Sequence, residues 1–354
     1  MKSVLHMARQ SNFELLRIVS ILFIAIYHAA VGIDWGFDIQ NYSELTFDVF
    51  FVEILRPLGK IGVNLFVLIS GYFLVKSTSS VLKKFLKVWV QLFTISIISA
   101  VLALLIFGEL AQSVFYYLTP FIHNAWWFAT SYLIMLLVSP LLNRIILKSD
   151  RQKHFKIILV LFSIQCLLFS CTNIRLDENR IIWFMVLYFI ASYIRLYPPQ
   201  KSNSFYEFVA VVCYVCSAFF FLLFASWGNE FALNAIKHEN SFFIAMCAIA
   251  IFIRFSRLDL GCSETINKIS ACTFGVYLIL SDYELKIRSY EFMSQYNSPV
   301  CLCLIFWVIV TFSLATIVSY VYTNTIVKYL DWGIDRLFEN RSEKENGPRP
   351  GQRT

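Results

Sequence analysis

Hydrophobic positions dominate this chain. Ten apolar stretches can be read, at about 13–33, 61–75, 88–107, 125–147, 157–171, 181–196, 208–227, 241–255, 269–281 and 300–322. A full membrane span needs about 20 residues, with a lower limit near 17. The second, fifth, sixth, eighth and ninth stretches are short and require flanking residues, tilt or local thinning of the bilayer. The pattern predicts an all-α polytopic membrane protein, a bundle of about ten transmembrane helices. One membrane unit covers 1–338, followed by a polar tail at 339–354, rich in Gly, Pro and Arg, that is expected to be disordered. The segment 34–59 is acidic, and its part 46–55 has the amphipathic character of a helix lying along the interface.

Composition excludes the soluble alternatives. Of 354 residues, 58% are hydrophobic and only 15% charged, against about 25% charged in soluble domains. Mean hydropathy is +0.65. The net charge of +7 matters less than its distribution. With the N-terminus cytoplasmic, the outer segments hold only Arg56, Lys60, Arg175, Arg180, Lys237, Lys286 and Arg288 of the 30 Lys and Arg residues. The positive-inside rule then favours ten spans with both termini cytoplasmic. A cleaved signal peptide is the alternative for the first stretch, and it would discard Arg17 and His28. Basic residues in short loops set topology, and none forms a nucleic-acid groove. The nine cysteines lie mostly in apolar runs and read as packing residues. Cys213-x-x-Cys216 has redox or zinc spacing but no partner His and no second pair, so no metal site is expected.

Ionisable residues inside spans face a cavity or each other. Arg17 and His28 are eleven residues apart and therefore share a helical face, separated by about 16 Å along the axis. Glu14, one turn earlier, can pair with Arg17. Two readings remain open at this point. One is a polar cavity with an anion held at Arg17 and proton chemistry at His28. The other is a snorkelling Arg and a hydrogen-bonded core His. Lys60 and Asn64 share a face of the second stretch, and Ser70-Gly71 permits close helix approach. His123, Trp126 and Trp127 open the fourth stretch, as an interfacial belt or as a platform for a sugar face.

Several of these residues fall in a recognisable order. Asn12-Phe-Glu-Leu-Leu-Arg-Ile18 through His28 resembles the opening of acyltransferase family 3, a basic residue followed after ten others by His. Gly62-Val-Asn-Leu-Phe-Val-Leu-Ile-Ser-Gly-Tyr-Phe-Leu74, with Lys60 before it, is similar to that family's second-span block. Trp127-Phe128, Tyr132 and Ser139-Pro-Leu-Leu-Asn143 resemble its fourth-span block. Trp183-Phe184, Leu187-Tyr188 and Tyr193-Ile-Arg195 resemble a later one. Phe274-Gly-Val-Tyr-Leu-Ile279 matches a ninth-span motif that commonly continues with His, where this chain has Leu280.

The resemblance implies an O-acyltransferase of the bacterial inner membrane. It implies acetyl from acetyl-CoA, or another acyl-CoA co-substrate, moved onto a hydroxyl of an exported or lipid-linked surface glycan, with no further cofactor. His28 is then the general base, since a sugar hydroxyl is a poor nucleophile near neutral pH. Arg17, with Glu14 beside it, and the basic segments 76–87 and 144–156 form the entrance for the anionic donor. Lys60 and Asn64 supply donors to the oxyanion. His123, Trp126, Trp127 and Arg195 are the remaining candidates for substrate contact. A glycan transporter or flippase and an O-antigen-type polymerase are the competing classes.

Overall fold

The computed structural model describes residues 10–36, 46–172, 180–296 and 299–345, with side chains to 339. Among these the chain is all-helical, without a strand. In order the helices are α1 (Ser11–Gly32), α2 (Phe47–Leu74), α3 (Val81–Phe107), α4 (Val114–Leu118), α5 (Trp127–Lys148), α6 (Arg151–Phe162), α7 (Phe169–Thr172), α8 (Ile181–Leu196), α9 (Asn203–Ser226), α10 (Glu230–Ile236), α11 (Phe242–Ser256), α12 (Glu264–Ala271), α13 (Thr273–Leu280), α14 (Tyr283–Ser294), α15 (Val300–Tyr322) and α16 (Lys328–Glu345). A π-helical turn at Ser163–Leu168 joins α6 to α7, and another at Thr323–Val327 joins α15 to α16.

Six helical segments are long and apolar enough to cross a membrane: Ser11–Gly32, Val81–Phe107, Trp127–Lys148, Arg151–Thr172, Asn203–Ser226 and Val300–Glu339. Two more apolar helices, Ile181–Leu196 and Phe242–Ser256, are shorter. The chain is a helical membrane protein.

Three expected stretches differ in the structure. The second begins far earlier, because 46–55 is the start of the 28-residue helix α2 and not a separate helix. Thr46 caps it by accepting from the Val49 amide at 3.3 Å. The Arg56 guanidinium grips the buried Glu53 carboxylate with two N–H groups, one at 2.6 Å. These local bonds hold charged sequence in helical form where hydropathy alone stops. The fifth stretch starts at Arg151, with the Asp150 side chain accepting from the Lys153 amide. The ninth is interrupted at Cys272: its first residues are the end of α12 and the rest is the eight-residue helix α13. Asp282 then caps α14 by accepting from the Leu285 amide at 3.1 Å. The expected disordered tail is helical as far as Glu345, where α16 ends. Its remainder, 346–354, lies outside the described residues, as do 37–45 of the acidic segment.

The centre of the bundle is α2, which packs on α1, α8, α9 and α11. Its contact with α1 is antiparallel and uses missing side chains. A Cβ at Gly59 would strike Tyr27, and one at Gly62 would lie 2.5 Å from the Ser20 carbonyl oxygen. Farther along, a Cβ at Gly71 would come within 3.1 Å of Ala191 and Tyr188 on α8. At the start of α3, Lys83 and Lys87 meet Asp331 and Asp335 of α16 at 2.8–3.4 Å.

Gly62→Ala and Gly333→Ala separate packing from helix propensity. At Gly62 the new methyl meets backbone, so the Ala variant should lose about 1–3 kcal/mol. Gly333 has no neighbour within 4 Å, so Ala there should be neutral or stabilise by up to about 1 kcal/mol. Thermal unfolding of both detergent-solubilised variants reads the difference. Equal melting temperatures would show that the α1–α2 contact relaxes freely.

Candidate active site

The close α1–α2 contact sets His28 of α1 near Lys60 of α2. Tyr27, His28, Lys60, Trp127 and Lys286 line one cavity of about 260 Å³. The Nδ1 atom of His28 is buried and has no hydrogen-bond partner. The Leu280 backbone is a hydrogen-bonding neighbour of the ring. Lys286 arrives from α14, the helix that Asp282 starts, and it has no carboxylate partner among the described residues. Burial, and next the charge on Lys60, push its ammonium below the ordinary lysine range.

Lys60 is held by a buried polar network. Its ammonium donates to Glu239 Oε1 at 2.8 Å, and the Arg180 guanidinium donates to Glu239 Oε2 at 2.8 Å. Asn64 Nδ2 donates to the Glu239 carbonyl at 2.7 Å, and the Trp183 indole donates to Asn64 Oδ1 at 3.0 Å. Arg180 also covers the Trp127 ring at 4.6 Å, and Lys60 covers Tyr27 at 4.9 Å. Such stacking is open to a cation over an aromatic face. Arg180 adopts left-handed backbone, φ 58°, a conformation that costs about 1 kcal/mol or more outside glycine. Glu239 is 1% exposed and lies in the turn between α10 and α11. Burial alone would raise its pKa, but the neighbouring Lys60 and Arg180 outweigh burial and hold the carboxyl well below the usual range.

The other expected residues lie elsewhere. Arg17 pairs with Glu14 at 3.2 Å, and Glu14 also accepts from the Ser270 hydroxyl of α12. Neither residue lines the His28 cavity. Arg195 donates to the Tyr72 hydroxyl at 2.9 Å and stacks over that ring. Trp126 is buried, and its indole donates to the Leu278 carbonyl at 3.0 Å. It therefore offers no free face to a sugar, whereas Trp127 does line the cavity. His123 is exposed, with its ring 6.1 Å from that of Tyr116. In the basic segment 76–87, Lys83 and Lys87 are engaged by α16, so that part of the expected donor entrance is already paired.

The cavity thus brings together His28, Lys60 and Trp127; Asn64 is fully buried behind Lys60, where it holds Glu239 and does not line the cavity, and Glu14, Arg17, His123, Trp126 and Arg195 lie outside it. The sequence pattern left Glu239 and the ring of Tyr27 unmarked, and Arg180 and Lys286 read there only as topology charges. The one available signal was an acid, Glu239, immediately before an apolar run.

The acyltransferase domain family, Acyl_transf_3, matches residues 10–323. The chain belongs to this family. No curated protein and no solved structure matches it. The match covers α1 through the end of α15, so every residue of the cavity falls within the acyltransferase domain.

Removing the Glu239 charge tests the network. Glu239→Gln leaves two cations facing a neutral amide, and breaking a buried pair costs about 3–5 kcal/mol. Because the folded carboxyl titrates below its unfolded value of about 4.3, its contribution is complete above that pH and is lost as pH falls below it. Melting temperatures of the solubilised protein across pH 3–7 should therefore show a constant gap between wild type and Glu239→Gln above about pH 5 and a gap that narrows as pH falls below about 4. A constant gap at all pH values would remove Glu239 as an ionised partner.

Proposed function

We propose that this acyltransferase is a membrane O-acyltransferase that uses acyl-CoA on the cytoplasmic side and acylates a hydroxyl of an exported or lipid-linked surface glycan in the bacterial inner membrane. Acetyl is the group that the family resemblance brings. The observation that carries the reading is the unpartnered Nδ1 of His28 in a cavity shared with two cations, Lys60 and Lys286.

The chemistry follows from those groups. The acceptor hydroxyl oxygen bonds to the thioester carbon, and His28 Nδ1 takes the hydroxyl proton. Negative charge moves to the carbonyl oxygen, where the Lys60 or Lys286 ammonium donates to it. The tetrahedral species collapses, the C–S bond breaks, and the CoA thiolate leaves with the proton that His28 had accepted. Lys60 is fixed for this task by Glu239. Trp127, beside the cavity, offers an aromatic face to a sugar ring. Arg17, about three turns of α1 away, suits the anionic part of the donor, with the thioester arm bridging to His28.

A transporter or polymerase is the competing class. The family match over residues 10–323 favours group transfer. It is tested by acyl incorporation into glycan by membranes carrying wild type, His28→Gln or His28→Asn at matched protein abundance. Neither amide accepts a proton, so both variants should lose about 10²–10⁴ in rate. Substantial incorporation by His28→Gln would return His28 to a packing role.

The reading also requires a cytoplasmic donor side, which follows from ten spans with both termini inside. Reporters fused after Lys84 and Arg151 should then read cytoplasmic, and one after Asp34 external. An external signal at Lys84 would overturn this orientation.

A further inference from the structure

His28 stands between two cavities of different character. One carries Lys60, Tyr27 and Trp127, as described. The other, of about 270 Å³, extends from His28 between α1, α13, α14 and α15. Its walls include Ala25, Ala29, Leu280, Trp307 and Ala315. Its cation, Lys286, is shared with the first cavity. Of the three hydroxyl-bearing residues on its lining, Thr311 donates to the Trp307 carbonyl at 2.7 Å and Ser289 to the Lys286 carbonyl at 3.2 Å, both within their own helices, and Tyr290 is the third. On its far side, Leu314 and Val318 are more than half exposed on the outer face of α15, so the space opens toward the hydrocarbon of the bilayer.

We propose that this second cavity seats the acyl chain of the donor and that the protein transfers acyl groups longer than acetyl. The inference rests on acyl transfer at His28. The reacting thioester carbon carries an oxygen, a sulfur and a chain. The sulfur leads to the anionic nucleotide, and the attacking oxygen belongs to a polyhydroxylated acceptor. Neither fits an apolar wall, where each unpaired hydroxyl costs free energy. The chain does fit, and its burial is favourable for every methylene added. Ala25 and Ala29 lie one helical turn apart on the face of α1 next to His28, and their small side chains leave the room. At roughly 30 Å³ per water-sized group, the cavity exceeds an acetyl methyl by several methylenes.

The test offers acetyl-, butyryl- and hexanoyl-CoA separately to membranes carrying the full chain, with acyl-glycan read by mass spectrometry. Wild type should favour butyryl and hexanoyl over acetyl, by about fourfold for each buried methylene. Thr311→Phe fills the cavity and should move the hexanoyl-to-acetyl ratio toward acetyl by roughly tenfold. Leu280→Ala enlarges the cavity and should move the ratio the other way. It carries the test alone if Thr311→Phe fails to reach the membrane. A wild-type preference for acetyl, with both variants changing all donors equally, would overturn the acyl-chain assignment and leave acyl transfer standing. An unchanged donor ratio with altered use of lipid-linked over free glycan would assign the cavity to the acceptor's lipid and overturn the proposal as well. No transfer from any donor, with His28→Gln indistinguishable from wild type, would bring down the acyl-transfer reading and this inference with it.

Discussion

Two glycines of α2 let it lie against α1 closely enough that a methyl at Gly62 would meet the Ser20 backbone. The arrangement of the site depends on that approach. In a lipid environment there is little hydrophobic drive between helices, so small residues and backbone contact carry association. At this spacing Tyr27 and His28 of α1 face Gly59 and Lys60 of α2 across one cavity. A larger residue at either glycine would move the imidazole away from the ammonium and change the chemistry before it changed the fold.

Bringing Lys60 into the bundle has an electrostatic cost, and the structure meets it with a second buried ion. Glu239 accepts from Lys60 and Arg180 at once, and its backbone carbonyl accepts from Asn64. Asn64 is in turn fixed by the Trp183 indole. Residues from α2, the start of α8 and the turn before α11 are thereby tied to one carboxylate. A buried network of this kind stabilises only when every member is satisfied, and here the Lys60 ammonium, both Glu239 carboxylate oxygens, the Glu239 carbonyl and the Asn64 amide all have partners. Lys286 is outside it and has no carboxylate partner among the described residues, so the cavity keeps a net positive field beside His28.

The opposite end of α1 is organised differently. Glu14 joins Arg17 to Ser270, and Asn12 donates to the Phe255 carbonyl, so the entry of α1 is anchored to α11 and α12. Arg195 is occupied with Tyr72. These are separate polar groups near one end of the bundle, about three turns of helix from the imidazole. A substrate that spans both ends must itself be extended.

The sequence alone determined that the protein is helical and membrane-embedded, because so many apolar residues can be satisfied only in a bilayer with internally bonded backbone. It also placed Arg17 and His28 on one helical face, since the period of an α-helix leaves no choice. The order of the motifs pointed to the acyltransferase family. Tertiary structure decided the rest. Hydropathy lost the first half of α2, because Asp48, Glu53, Arg56 and Lys60 are stabilised there by a cap and by partners that a window average does not register. It also ran the end of α12 into α13, across a break at Cys272 that is a matter of backbone geometry. Glu239 lies 179 residues from Lys60, and Lys286 lies on a helix with no apolar signature, so no local pattern joins either to His28. Trp126 and Trp127 are neighbours in sequence, yet one is buried against Leu278 and the other faces the cavity. Successive helical residues point about 100° apart, and only the packing of the neighbouring helices decides which of those directions meets the site.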